Sequence, residues 1–305
     1  MEFQQLRHFI AVAEHGSFSN AAANLSVPQP KLSRCIRALE DELGTPLFFR
    51  TGRGVVLSEA GEYLFEQSAV IIQASRAIET GIQSITGNPG GTVRIGLPAS
   101  VAALVALNII DRIAEAFPRV EIEIEEAGAA HVLEWLSAGR VDLAVLSEAP
   151  RASTLLTQPL ADEDLCLVCP AGSGEGPGIP IGEEALRGRT ILLTEGSLQA
   201  FAGTGCFADC DLRRLESIAA SIDFVRQGRG FALLPASAAH AFARDGAVVI
   251  RQVAGRRLTR KLSLATSTRA PLSPATRKVA DVVAEIIRRS VSCLPAEDEG
   301  ARLVA

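Results

Sequence analysis

The chain has 305 residues, of which 48% are hydrophobic and 21% charged, and its formal net charge is −5. That length and apolar content exclude a disordered chain and predict more than one domain with well-buried cores. The acidic balance excludes tight, non-specific polyanion binding by the surface as a whole, so any nucleic-acid contact needs a local basic patch.

At the amino terminus Leu6, Phe9, Ile10 and Ala13 recur at helical spacing, and Gly16 is a natural stop. Phe18, Ala21, Ala22 and Leu25 line a second short helix capped by Ser17 or Ser19, whose alanines let another helix cross closely. Val27 and Pro28 break that pattern. A third helix follows, with Leu32, Ile36, Leu39 and Leu43 on one inward stripe. Its opposite face carries Pro30, Arg34 and Arg37, flanked by Lys31 and Ser33, groups that reach phosphates and base edges when a helix enters the major groove. Gly44 and Pro46 end it, and PLFFRTGRGVVLS reads as two short strands around a Gly52–Gly54 turn, a wing carrying Arg50 and Arg53.

Within residues 1–61 acids and bases balance, but the bases from Lys31 to Arg53 cluster on the reading face and wing. Ser33 and Arg34 are the base-edge candidates; Gln29, Lys31, Arg37, Arg50 and Arg53, beside Pro30, are the phosphate or minor-groove candidates. The competing reading is a small helical subdomain whose bases are only solvated.

Phe18, Ala21, Ala22, Leu25, Gln29, Pro30, Leu32, Ser33, Ile36, Leu39, Glu40, Leu43, Gly44, Leu47, Phe48, Arg50, Thr51, Leu57, Ala60 and Gly61 resemble, in order and spacing, the signature of LysR-type transcriptional regulators. The resemblance implies a winged helix-turn-helix that binds double-stranded promoter DNA. Three positions depart from it: Pro28 stands where serine is common, Lys31 where alanine is, and Cys35 where glutamine is. No base preference carries over, because Cys35 lacks the paired hydrogen bonds glutamine offers adenine.

Next, Ser58 to Thr86 predicts one long helix. Leu64, Ile71, Ile78 and Ile85 recur every seven residues, joined by Ala74 and Ile82, which is a coiled-coil seam; the alternative is a helix packed on its own domain. The family resemblance implies that it dimerises the chain, with tetramers usual. Gly87 to Gly91 form a hinge. The expected domains are therefore 1–57 (winged helix), 58–86 (linker helix), 87–91 (hinge) and 92–305 (a regulatory domain).

Beyond the hinge TVRIGLP, residues 101–117, VEIEIEEAG, 130–138 and VDLAVLS alternate strand and helix, predicting a parallel sheet within an α/β fold. A second lobe spans about 162–261, with strands DLCLVCP, TILLTEG and FALLPAS and helices near 217–228 and 237–245; the strand LSLATS and a helix from Ser273 to Arg289 return to the first lobe, about 92–161 and 262–290. The region resembles the LysR-type regulatory domain, similar in fold to periplasmic solute-binding proteins, with an effector between two lobes. LESIAASIDFVRQGRGFALLPASAAHAF and LSLATSTRAPLSPAT resemble the nitrogen assimilation control branch, which implies a link to nitrogen metabolism.

Ligands of open α/β sheets gather beyond the strands' carboxyl ends, at helix amino termini. That points to Ser100 and Val101, Gly128 and Ala129, Ser147, and Ser197, Leu198 and Gln199 as contacts for a small, anionic metabolite. Ser100 reads equally as a helix cap. Alanines at 129 and 130, near where many relatives place a hydroxyl, predict a less polar pocket or one without a ligand.

No basic, apolar leader and no run of ~18 apolar residues is present, which predicts a cytoplasmic chain without membrane contact and with reduced cysteines. Cys166 and Cys169 lie three apart in a strand and so point to opposite faces, which opposes metal ligation. Cys206 and Cys210 allow a redox-responsive alternative, opposed by the adjacent Asp209 and Asp211. His8, His15, His131 and His240 accompany no nucleophile elbow, phosphate loop or metal cluster, so neither catalysis nor a cofactor is expected. A solute-binding module without DNA function leaves the first 86 residues unexplained. RNA polymerase is a further partner that the resemblance implies.

Overall fold

The computed structural model describes residues 1–52, 54–85, 90–148, 152–173, 179–201, 207–242, 246–255 and 257–292. Its first unit is three helices, α1 (Phe3–His15), α2 (Phe18–Asn24) and α3 (Gln29–Leu43), with an antiparallel wing of β1 (Phe48–Thr51) and β2 (Gly54–Leu57). Phe9 and Val12, the small Ala21 and Ala22, and Leu32, Ile36 and Leu39 meet in one core with Leu47. Ser17 is the α2 cap, its hydroxyl accepting from the Asn20 N–H. Gly16 ends α1 at a φ of 58°, and its carbonyl accepts from the Val55 N–H at 2.9 Å, tying the wing to α1. Leu43, expected on the inward stripe, is 42% exposed. The last turn of α3 runs past the core before Gly44 reverses the chain in the left-handed region.

Helix α4 (Glu59–Ile85) starts where the Ser58 hydroxyl donates to the Pro46 carbonyl at 2.6 Å and accepts from the Gly61 N–H at 3.0 Å. Leu64, expected in the seam between chains, packs instead against the core of its own first unit. Ala60, Leu64 and Phe65 reach that core at this end of the helix, and the heptad pattern does not distinguish the two uses. Ile71, Ile78 and Ile82 are exposed, the last two at 63% and 61%. The side chain of Ile85, and Gly87 to Pro89 of the hinge, lie outside the described residues.

The second unit is built on β3 (Gly91–Pro98), α5 (Ala99–Ala116), β4 (Val120–Ala127), α6 (Ala129–Ser137) and β5 (Leu143–Ser147). The three strands are parallel, and every residue of β5 is buried, as expected of a strand covered on both faces. Strand β6 (Leu155–Pro170) continues into β7 (Thr190–Leu193), α7 (Glu195–Phe201), β8 (Asp211–Arg214), α8 (Ile218–Arg226), β9 (Phe231–Pro235), α9 (Ala236–Phe242) and β10 (Val248–Arg251). The chain then returns through β11 (Thr259–Ser267) and α10 (Pro274–Ser292).

The strand order is β4-β3-β5-β11-β6-β9-β7-β8, with β10 also on β6. Strand β6 pairs with β11 as far as Asp164 and with β9 from Leu165 onward, so it runs from one lobe into the other. Sequence patterning marked only its last seven residues, because Pro159, Asp162 and Glu163 interrupt the extended run before them. Strands β8 and β10 were not anticipated; β8 is exposed throughout and has no alternation to read. Helices α5 and α10 cover one face of the first sheet. Cys166 and Cys169 fall in separate cores on opposite faces of the second.

Candidate functional site

Two surfaces hold the sequence-predicted site residues. On the first, α3 begins with Pro28 as its cap residue, with no side-chain cap, no acid in its first turn and Pro30 just inside. The first-turn N–H groups of such a helix favour an anion. Gln29, Pro30, Lys31, Arg34 and Arg37 are exposed, Ser33 is half-buried, and Arg50 is exposed on β1. Arg34 Nε donates to the Pro30 carbonyl at 3.3 Å, which holds the guanidinium along the helix face. Arg53 lies outside the described residues.

Sequence reasoning placed Glu40 among the acids and in the family signature but gave it no role, and it positions the wing. Its Oε1 accepts from the N–H of Leu47 at 2.8 Å and of Phe48 at 3.3 Å, and the Phe48 ring packs on Phe9 and Phe18 at 5.2 and 5.9 Å. The base-bearing strand β1 is thereby fixed relative to α3. On the hidden side of α3, burial, then Lys31 and Arg7, lower the pKa of His8, whereas burial and Glu2 raise that of Cys35. Both groups are neutral in the fold.

The second surface is the cleft between lobes, a cavity of about 70 Å³ whose walls include Ser100, Gly128, Ala129 and Ser147 of one lobe and Thr194, Gly196 and Ile218 of the other. The starts of α5 and α6 converge on it; neither has a side-chain cap bond or an acid in its first turn. Three predicted contacts lie elsewhere. Val101 is buried in the first lobe's core, and Leu198 packs into the second lobe. Ser197 is fully buried, and its hydroxyl is 3.0 Å from that of Thr194. Successive helix residues point about 100° apart, so one of three consecutive positions faces the ligand side. The Gln199 side chain lies outside the described residues.

At the base of the cleft stands Arg260, only 3% exposed, paired with Glu163, 1% exposed, at 2.7 Å. Arg260 Nη2 donates to Ser100 Oγ at 2.7 Å and Nη1 to Ser147 Oγ at 3.3 Å, while Glu163 Oε1 accepts from the Ser237 N–H at 2.8 Å. Neither Arg260 nor Glu163 was singled out from sequence. Glu163 sits between Asp162 and Asp164 and Arg260 beside Lys261, so neither stands out as buried, and the pairing joins residues far apart in the chain. At the mouth Glu216 accepts from the Glu195 N–H and pairs with Arg214, which offsets its charge.

Among the other candidates, Cys210 donates to the Leu186 carbonyl at 3.2 Å, and burial, Asp209 and Glu183 push its thiol pKa up; Cys206 lies outside the described residues. His131 is exposed, and burial lowers the pKa of His240. Among the described residues no three His, Cys, Asp or Glu side chains are grouped to hold a metal ion, and no helix is long and apolar enough to cross a membrane.

Residues 3–62 match the family model for the bacterial regulatory helix-turn-helix protein, lysR family, and residues 86–288 that for the LysR substrate binding domain. The chain is 28% identical to the nitrogen assimilation regulatory protein nac of Klebsiella aerogenes, over 95% of this chain and 96% of that protein. It is 30% identical to a probable hydrogen peroxide-inducible genes activator of Streptomyces viridosporus, over 93% and 94%. In fold it is similar to a full-length OxyR variant from Pseudomonas aeruginosa, with a TM-score of 0.72 and 22% identity over 97% and 98% of the two chains. It is likewise similar to full-length CbnR complexed with its target DNA, with a TM-score of 0.63 and 24% identity over 95% and 100%.

Proposed function

The chain belongs to the LysR family of transcriptional regulators, and from that membership we propose that α3 and the wing read promoter DNA while a small metabolite in the inter-lobe cleft controls the reading. One observation carries the DNA half: a single helix buries Leu32, Ile36 and Leu39 and holds Lys31, Arg34 and Arg37 in solvent on its other side. Ser33 and Arg34 reach base edges, and Gln29, Lys31, Arg37, Arg50 and Arg53 contact phosphates or the minor groove. The balanced charge of this unit limits each copy to a few phosphate contacts, so affinity comes from linked copies joined through the exposed isoleucines of α4. The domain limits 1–57, 58–86, 87–91 and 92–305 express this division of labour, in a cytoplasmic regulator without catalytic chemistry.

Footprinting on DNA upstream of the protein's own gene tests the proposal, with Arg34→Ala as the discriminating variant. Specific affinity should fall more than non-specific affinity; equal losses in a competition assay would assign Arg34 to the backbone, and no protected site would remove the proposal. The relative named for nitrogen assimilation supports a nitrogen-linked regulon. A peroxide-responsive mode, suggested by the Streptomyces relative, has less support, because the surroundings of Cys210 keep its thiol protonated. Mass spectrometry after mild peroxide decides it: a bridge between Cys206 and Cys210 would favour that mode.

A further inference from the structure

The guanidinium of Arg260 has two occupied edges. Its inner edge is closed by a carboxylate, Nε and Nη2 lying 2.9 and 2.7 Å from Glu163 Oε2. Its outer edge is held only by the oxygens of Ser100 and Ser147, which accept from Nη2 and Nη1. Both hydroxyls are buried, and neither hydroxyl proton has an acceptor among the described residues. Because Nη1 and Nη2 donate to the two hydroxyl oxygens, the hydroxyls are turned to donate outward, and a planar carboxylate beside them would receive one O–H on each of its oxygens. Glu163 already cancels the charge of Arg260, so the remaining attraction comes from the amino termini of α5 and α6. That balance suits one negative charge and opposes two. The cavity of about 70 Å³ has Ser100, Ser147 and Arg260 in its wall, so a head group seated there meets both hydroxyls while the rest of the ligand lies toward the mouth.

Resting on the reading of the cleft as an effector site, we propose that Arg260 determines its specificity by selecting a single carboxylate head group, with Glu163 as a fixed internal counter-ion. The pair also reports occupancy. Arg260 and Glu163 face each other across β11 and β6, at the passage between lobes. Ser100 and Ser147 belong to one lobe, and the Ser237 N–H bound by Glu163 opens α9 of the other. An anion that draws Arg260 outward weakens its hold on Glu163, and through Glu163 the hold on α9.

Thermal melts of the full-length protein in sodium acetate, acetamide and sodium phosphate at one ionic strength test this. Acetate should raise the midpoint by about 2–4 °C near saturation, acetamide should not, and phosphate should do less than acetate. The double variant Ser100→Ala/Ser147→Ala should lose at least half of the acetate shift. Glu163→Gln should melt lower and respond more strongly to acetate than the parent, because the anion then supplies the missing charge. Equal shifts with acetamide, a larger shift with phosphate, or a full acetate shift in the serine variant would overturn the proposal, and the serine variant decides alone if Glu163→Gln does not fold. Gly128→Trp, which fills the mouth, separates the two layers. A screened metabolite whose stabilisation is lost in Gly128→Trp but kept in the serine variant preserves the cleft and removes the carboxylate subsite; acetate stabilisation that survives Gly128→Trp removes both.

Discussion

His8 Nδ1 in the first helix lies 3.2 Å from Cys35 Sγ in the recognition helix. His8 is 5% exposed, and with the imidazole pKa lowered and the thiol pKa raised, the two groups meet as neutral hydrogen-bond partners. The bond ties α1 to α3 behind the face that carries Arg34 and Arg37, so it bears on how that face is held.

Stability should depend on pH through this pair. The folded pKa of His8 lies below the ordinary histidine value of 6.5, so near and below that value the unfolded chain binds a proton that the folded chain refuses. The contribution is complete above 6.5 and is lost as pH falls through the lowered folded value; His240, lowered by burial, acts in the same direction. Urea midpoints should therefore drop on the acid side of 6.5, and His8→Phe should flatten part of that slope. An unchanged slope in His8→Phe would place the acid sensitivity elsewhere.

Removing the thiol should cost more than replacing it. Cys35→Ala strands a buried imidazole nitrogen and should destabilise by about 1–3 kcal/mol, whereas Cys35→Ser keeps a donor and should lose less. Denaturant unfolding of the three proteins measures both, and equal midpoints for alanine and serine would show that the bond contributes nothing.

Arg260→Met should be among the most damaging single changes, because it leaves the Glu163 carboxylate buried without its partner, at about 3–5 kcal/mol. Adding Glu163→Gln should recover a large part of that loss. A double-mutant cycle in urea reads the coupling directly; additive losses would mean that the two side chains do not act as a pair.

Gly61 stands where a Cβ would overlap the carbonyl oxygen of Leu47. Gly61→Ala should separate the wing from the start of α4 and cost about 1–3 kcal/mol. Calorimetry on the full chain checks it, and a neutral result would show that this junction relaxes freely.

Ile78→Glu with Ile82→Glu places two charges on the exposed side of α4. Sedimentation should show a shift to monomer with unchanged circular dichroism, and promoter affinity should fall by about 10²-fold or more as linked binding is lost. A variant that remains dimeric would move the interface to another surface.

The sequence by itself determined what repeats within one element. The stripe of Leu32, Ile36 and Leu39 against Arg34 and Arg37, the Gly52–Gly54 wing turn, the uninterrupted run of α4 and the strand-helix alternation from β3 to β5 all follow from periods of a few residues. Only the tertiary structure decided that Leu64 serves its own unit, that Glu40 holds Leu47, that His8 meets Cys35, and that Arg260 closes the cleft on Glu163. Those pairings depend on helix crossings and strand register, which bring distant residues together without leaving a local pattern; a one-residue slip of β11 on β6 would turn Arg260 to the other face of the sheet.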